Sequence, residues 1–525
     1  MQLNIRRGEI HQLVYLWGLI LLGVSLPVSN YFMSVALFVL SLNWIAEGDF
    51  ARKWQIMIHR KSILAIISVY LVHVIGLLYS TDYQYAIHDL KIKLPLLVLV
   101  LIVGTSRNIS TGRLKIILQF FIASVFVATI ISTVAYFILN KFSVHDSRDI
   151  SLFISHIRYS LLIDMALIVC LYFGLYSTFR VSSKERIICF ILAAWFATFL
   201  FILQSFTGIW IFLTVLPVML IHWSVKKRNT WLTTGIITVI LAGLILAFAV
   251  IWATLNKFYP APVITPVKLE KYTVNGNPYF HNLESGLLEN GNYIYLYICE
   301  EELKDEWSKR SSIHYDSIDN RGQKLKQTLL RYLTSKDLRK DSAGVAALDN
   351  EDIRMIENGY SNHIFKKQFN IYPRIYQFIW ELDVYMKTGK CGGHSLTQRI
   401  EYIRNGIEII KRNFWIGVGT GDVKMEYDKQ YEMSGSQLVE KWRLRAHNQF
   451  ATFFITFGVT GFVWIIAAFV YAITYEKKWK ELLPVLFLLV AFLSMLNEDT
   501  LETHAGICFF SFFFSIFIFG FRKRF

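Results

Sequence analysis

The stretch RAHNQFATFFITFGVTGF, residues 445–462, sets a histidine and an asparagine at the mouth of an apolar run. Arg443 and Arg445 precede His447, and Asn448, Gln449 and Thr452 carry polarity into the run. A histidine so placed can take a proton from an attacking hydroxyl. Arginines beside it suit a diphosphate, whose oxygens accept paired guanidinium hydrogen bonds. Anchoring at a membrane interface is the competing reading for polar residues at the end of a span. Against it, polar groups at depth usually face a cavity. Other segments offer partners. SHIRYS holds His156, Arg158 and Tyr159; YSTDYQYAIHDLKIKLP holds Asp82, His88, Asp89, Lys91 and Lys93; NEDTLETH holds Glu498, Asp499, Glu502 and His504. TLLRYLTSKDLRKD adds Arg331, Lys336, Arg339 and Lys340, for which solvated surface is the plainer reading. The 13 histidines form no HExxH motif and no Cys-x-x-Cys occurs, so neither a metal nor another cofactor is expected. IGVGTGDV, 416–423, lacks the lysine of a phosphate-binding loop and reads as a turn of close approach.

The elements that must position these groups are membrane spans. The 525 residues are 54% hydrophobic with a mean hydropathy of +0.41, and the apolar residues form runs rather than stripes. Such runs cross hydrocarbon as helices of roughly 20 residues. Twelve apolar segments are read, near 11–28, 31–45, 61–79, 92–104, 114–138, 156–176, 186–203, 207–222, 231–254, 447–473, 482–496 and 503–520. The basic start and apolar centre of the N-terminus read as a retained first span, because no small-residue cleavage pattern follows. With that end in the cytoplasm, the inner loops EGDFARKWQIMIHRK, SRNISTGRLK, RVSSKER, HWSVKKRNT and YEKKWKE and the tail FRKRF are all basic. The outer loops YSTDYQYAIHD, KFSVHDSRD and LNEDTLE are mixed or acidic, as the positive-inside rule requires. The net charge of +15 is thereby divided among short loops, which argues against nucleic acid as a partner.

The same alternation divides the chain into spans one to nine (1–254), an external segment (255–446) and spans ten to twelve (447–525). The external segment opens on NKFYPAPVITPVKLEKY, whose prolines prevent regular structure. Helices are then predicted in YIYLYICEEELKDEWSKRS, GQKLKQTLLRYLTSKDLRK, NEDIRMIENGYSNHIF and SLTQRIEYIRNGIEIIKR. Cys170, Cys189 and Cys508 read as small buried apolar residues. Cys299 and Cys391 leave a disulfide open if their segment is extracytoplasmic.

With these residues in place, the chain resembles the O-antigen ligase and O-antigen polymerase superfamily of bacterial inner-membrane proteins. AHNQFATFFITFGVTG closes one large late loop, and RNGIEIIKRNFWIGVGTGDV is similar to the family's amphipathic stretch ending in a glycine turn, with Asn413, Phe414 and Trp415 where a proline is expected. HVIGLLYSTDYQYAIHDLKIKLPLL, SHIRYSLLI and LNEDTLETHAGICFFSFFFS look like Bacteroidetes-type members. The resemblance implies an all-α polytopic membrane protein of GT-C type, with a helical periplasmic insertion and both termini cytoplasmic. It implies a metal-independent glycosyltransferase that uses a glycan on undecaprenyl diphosphate at the periplasmic face, among membrane lipids. His447 corresponds to the family's base, and Arg158 and Arg445 to its catalytic arginines. His156, Tyr159, Asp82, Arg331, Arg339 and Asn448 are the candidate substrate contacts. QSFTGIW places Phe206 where the family often has an arginine, so Arg158 or an arginine of the external segment assumes that role, or donor binding differs.

Several readings stay open. A ligase moves the glycan to lipid A-core, a polymerase joins repeat units, and an oligosaccharyltransferase modifies protein hydroxyls. A transporter would place ionisable groups near the midplane of the bilayer, and Asp164 in LLIDMAL is one such group. A receptor would explain the external segment but not His447 and Arg158 at one face.

Overall fold

The computed structural model describes residues 7–137, 150–259, 269–366, 371–389, 391 and 395–521. The loop KFSVHDSRD, most of the proline-rich linker (260–268) and all but the first residue of the basic tail lie outside the described residues.

Apolar runs become helices because only a helix pairs every backbone group within one segment where water is absent. In chain order they are α1 (Arg7–Ser25), α2 (Asn30–Glu47), α3 (Phe50–His59), α4 (Lys61–Leu77), α5 (Tyr83–Thr105), α6 (Thr111–Phe137), α7 (His156–Leu175), α8 (Ser183–Leu203), α9 (Phe206–Lys226) and α10 (Thr230–Phe258). A more polar series follows: α11 (Glu300–Arg310), α12 (Leu325–Ser335), α13 (Ser342–Ala346), α14 (Asn350–Glu357), α15 (Ile371–Thr388), α16 (Ser395–Arg412) and α17 (Val423–Met433). The chain ends with α18 (Gln449–Tyr475), α19 (Leu482–Asn497) and α20 (His504–Phe514), the last running on as a π-helix over Ser515–Gly520. Each of the twelve apolar segments falls on a helix. Among the described residues seven helices, α1, α6–α10 and α18, are long and apolar enough to cross a membrane; α2 and α3, bent by 109°, make an eighth if they count as one span. The expected twelve are not all met on these terms. α4, α19 and α20 are shorter apolar helices, and α5 carries Asp89, Lys91 and Lys93 in its first half.

Two compact units divide the chain. The first comprises 1–237, 402–436 and 443–525, so the second half of α16, the glycine loop and α17 cluster with the apolar helices rather than with the rest of 255–446. Its structural centre is a break in α18, where Gly458 adopts φ 62°, ψ −170°. The break opens the bonds that Val459 and Thr460 would make to Ile455 and Thr456, and the glycine loop replaces them. Val418 and Gly419 donate to the carbonyls of Ile455 and Thr456 at 2.9 Å, while Val459 and Thr460 donate to those of Phe414 (2.7 Å) and Trp415 (3.3 Å). The same loop is tied to α4: Thr420 Oγ1 donates to the His73 carbonyl (2.6 Å), and the Asp422 carboxylate accepts the backbone N–H of Thr81 and Asp82. The turn of close approach read from the sequence is thus a backbone graft into a broken helix.

The second unit, 238–401 with 437–442, has its own cores. Leu303, Trp307, Leu329, Leu333, Val345 and Ile356 pack α11–α14 together, and Tyr376 and Trp380 of α15 pack on Leu288. A two-stranded ladder pairs β1 (Leu288–Glu289) with β2 (Asn292–Tyr293). One expectation is corrected here. Residues 293–299 are not helical, and α11 begins only at Glu300. Ile294, Leu296 and Ile298 are buried while the tyrosines between them are partly exposed, and the backbone runs through a turn with Tyr297 in the left-handed region, φ 55°. Cys299 and Cys391 are buried free thiols.

Gly458→Ala tests the graft. A Cβ there would lie 2.3 Å from the Trp415 carbonyl carbon, in a conformation that disfavours side chains. Strain and clash together should cost about 3 kcal/mol or more. Gly435→Ala, left-handed but in open space, should cost about 1 kcal/mol. Thermal melting of both variants in detergent checks the contrast.

Candidate active site

His447 stands just before α18 with its backbone in the left-handed region, φ 48°. Asn448 caps the helix: its Oδ1 accepts from Ala451 N (2.9 Å) and its Nδ2 donates to the Leu496 carbonyl (2.8 Å). The turn and the cap fix the direction of the imidazole, which stacks on Tyr402 with ring centres 5.4 Å apart. His447 Nδ1 lies 3.3 Å from Glu498 Oε2, a carboxylate 2% exposed. Facing an acceptor, Nδ1 carries the proton and donates it. Nε2 then keeps its lone pair, the arrangement of a general base.

The same Glu498 oxygen receives Arg158. That side chain leaves the first turn of α7, donates from Nη1 to Glu498 Oε2 (3.3 Å) and from Nη2 to the Asp499 carbonyl (3.1 Å), and leaves Nε buried with no partner among the described residues. Asp499 accepts from Thr452 Oγ1 at 2.8 Å. Beside it, Glu502 gathers Arg445 (3.1 Å), Lys93 (2.8 Å) and Gln449 Nε2 (2.9 Å), and Lys93 reaches on to Asp89 at 2.6 Å. Burial pushes the Glu502 carboxyl up, but Lys93 and Arg445 outweigh it and hold the group below the usual carboxylate range. Burial dominates at Asp499 and raises it despite Arg445. His73, Asp89, Lys93, Thr420, Arg445 and Glu502 also line a small depression of about 230 Å³ of empty space, open solvent included.

The network therefore carries Lys93, Arg158 and Arg445 against Asp89, Glu498, Asp499 and Glu502. His447 adjoins this network through Glu498. The arginines read from the sequence as phosphate ligands are each already held by a carboxylate, which changes their setting: they enter any anion site as part of a neutralised network.

The candidate residues distribute as follows. His447, Arg158, Arg445 and Asn448 meet in this one network or at its edge. His156 is the first residue of α7, and Tyr159, one turn on, is buried edge-on to Phe199 at 5.8 Å. Asp82 caps α5 by accepting from Tyr85 N at 2.8 Å. Arg331 and Arg339 belong to the second unit, where Arg331 pairs with Glu289 (2.7 Å) over the Trp380 ring and Arg339 pairs with Glu270 (2.7 Å) over Tyr297. Glu498 and Glu502 were visible in the sequence only as charges in an outer turn. Tyr402 carried no signal, since nothing local connects it to His447.

The fold and this centre define an all-α, multi-pass membrane-type protein with a histidine–carboxylate pair just before a broken apolar helix. Residues 367–466 match the family model described as O-antigen ligase, a distant similarity over about 100 of 525 residues that supports broad membership of that superfamily. The matched stretch contains Tyr402, the glycine loop, His447 and the Gly458 break. No curated protein matches the chain.

Glu502 ionises at lower pH in the folded chain than in the unfolded one. Its contribution to stability is complete above the ordinary glutamate value of about 4.3 and fades as pH falls through and below it; Asp499, displaced the other way, offsets part of the effect. Glu502→Gln should cost about 3 kcal/mol at pH 7, because Arg445 and Lys93 lose a partner. It should also flatten the loss of melting temperature between about pH 5 and pH 3.

Proposed function

We propose that this protein is an O-antigen ligase that transfers a glycan from undecaprenyl diphosphate to lipid A-core at the periplasmic face of the bacterial inner membrane. On this reading the twelve apolar helices form a GT-C-type bundle, with both termini cytoplasmic and residues 255–446 periplasmic. The observation that carries the reading is the His447 Nδ1 contact with buried Glu498, which leaves Nε2 as a base within the stretch that matches the O-antigen ligase family.

An acceptor hydroxyl is aligned on His447 Nε2. Its oxygen forms a bond to the donor's anomeric carbon as the bond from that carbon to the diphosphate oxygen breaks. The proton passes to Nε2, the electron pair leaves on the diphosphate, and the anomeric configuration inverts. The imidazolium is stabilised by Glu498 and Asp499, and Arg158 and Arg445 supply positive charge on the leaving-group side. His156 and Tyr159 remain the proposed substrate contacts of the first unit, and Asp82 and Asn448 act through the helix starts they cap. Activation resides in the prenyl diphosphate, so the proposal needs neither nucleotide nor metal.

The test is glycan transfer in a deletion strain carrying wild-type protein, His447→Ala or Glu498→Gln at matched membrane levels. Lipopolysaccharide and lipid-linked glycan are read separately. Both variants should lower transfer by about 10²–10⁴-fold and accumulate long glycan on undecaprenyl diphosphate with bare core. Single repeat units on the lipid carrier, or core capped by one unit, would establish a polymerase instead. Loss of glycan from protein with intact lipopolysaccharide would establish protein O-glycosylation. Unchanged transfer by His447→Ala would overturn the base assignment.

A further inference from the structure

A second depression lies far from His447 along the helices, where the first turns of α1 and α6 meet the last turns of α2 and α5; it encloses about 510 Å³ of empty space, open solvent included. Its floor is apolar, with Leu19, Ile102 and Ile117 all buried. Its rim is basic. Arg107 makes no hydrogen bond or ion pair among the described residues, and Arg113 reaches only Gln12 Oε1, at 3.5 Å. Tyr15 is more than nine-tenths buried against this space, and its hydroxyl has no partner among the described residues.

Of the other polar groups at the rim, His11, Asn43 and Glu47 already have partners. His11 Nδ1 and Asn43 bond to one another at 2.9 Å, and Glu47 is held by Lys53 at 2.9 Å. The rim therefore presents two guanidinium groups and an idle hydroxyl, with no free carboxylate to oppose an anion. Guanidinium groups and a phenol are matched donors for phosphate oxygens. Leu16, half-buried at the edge of the depression in a wall of membrane-type helices, suits the start of an acyl chain.

We propose that this depression binds the headgroup of an anionic phospholipid, its phosphodiester held by Arg107, Arg113 and the Tyr15 hydroxyl, with an acyl chain leaving past half-buried Leu16. The charge pattern of the loops assigns this end of the helices to the cytoplasmic leaflet. The site is separate from the proposed transfer chemistry, and its failure would leave that reading untouched.

The full chain, purified in mild detergent, would be titrated with phosphatidylglycerol, phosphatidylcholine or inorganic phosphate. Melting temperature and retained lipid, by native mass spectrometry, are the readouts. Phosphatidylglycerol should be retained and raise the melting temperature, and phosphatidylcholine should do neither. The Arg107→Ala/Arg113→Ala double variant should bind phosphatidylglycerol about twenty-fivefold more weakly, at about fivefold per arginine. Both arginines are exposed, so its melting without lipid should stay that of wild type. Tyr15→Phe, which removes only the hydroxyl, should weaken retention while preserving the apolar ring. Equal retention of phosphatidylcholine, or an unchanged affinity in the double variant, would overturn the proposal. So would inorganic phosphate that reproduces the shift and displaces the lipid, since the site would then be one for free anions.

Discussion

Backbone hydrogen bonds interrupted inside an apolar helix must be remade with other backbone groups, because lipid and apolar side chains offer no substitute. The break at Gly458 is therefore possible only with residues 414–420 grafted onto it, and the graft in turn dictates what surrounds it. It pins the end of α16 and the start of α17 beside α18. It holds the Asp422 carboxylate against the backbone that leads from α4 into α5. Tyr402 is one consequence. Its position under the His447 ring depends on α16, and α16 is anchored where its C-terminal end enters the grafted loop.

α4 and α18 are also tied at their other ends. Arg60, at the start of α4, forms two bonds with the Glu476 carboxylate at the end of α18, at 2.6 and 2.9 Å. It also donates to the carbonyls of Gly104 and Phe519, and Ser62 adds a bond to Glu476. A buried pair of this kind adds little net stability over an apolar replacement but fixes geometry. Secured at both ends, the α4–α18 pair gives His447 a rigid platform, while its left-handed backbone stores local strain of the kind found at functional sites.

Charge compensation is the second organising constraint. Buried ionised groups are costly unless paired, and here the pairing runs unbroken from Asp89 through Lys93 and Glu502 to Arg445, with Glu498 joining Arg158 to His447 close by. Each arginine that looked like a free phosphate ligand in the sequence is a restrained one in the fold, and the carboxylate that restrains Arg158 also orients the imidazole.

Hydrophobic runs and basic loops determined the helical, multi-pass character of the chain, because length and apolarity act through each segment alone. The mouth of α18 was legible for the same reason: His447 and Asn448 adjoin the run they cap. The turn around Ile294–Ile298 departs from the expected helix because a short alternating stretch of Tyr, Ile and Leu is ambiguous until its neighbours are known. Tertiary structure alone decided that Glu498, 51 residues beyond His447, orients it, that Tyr402 stacks on it, and that Arg158 shares the same oxygen. Those contacts join helices distant in sequence, and no local pattern of charge or hydropathy encodes which carboxylate a buried cation will meet.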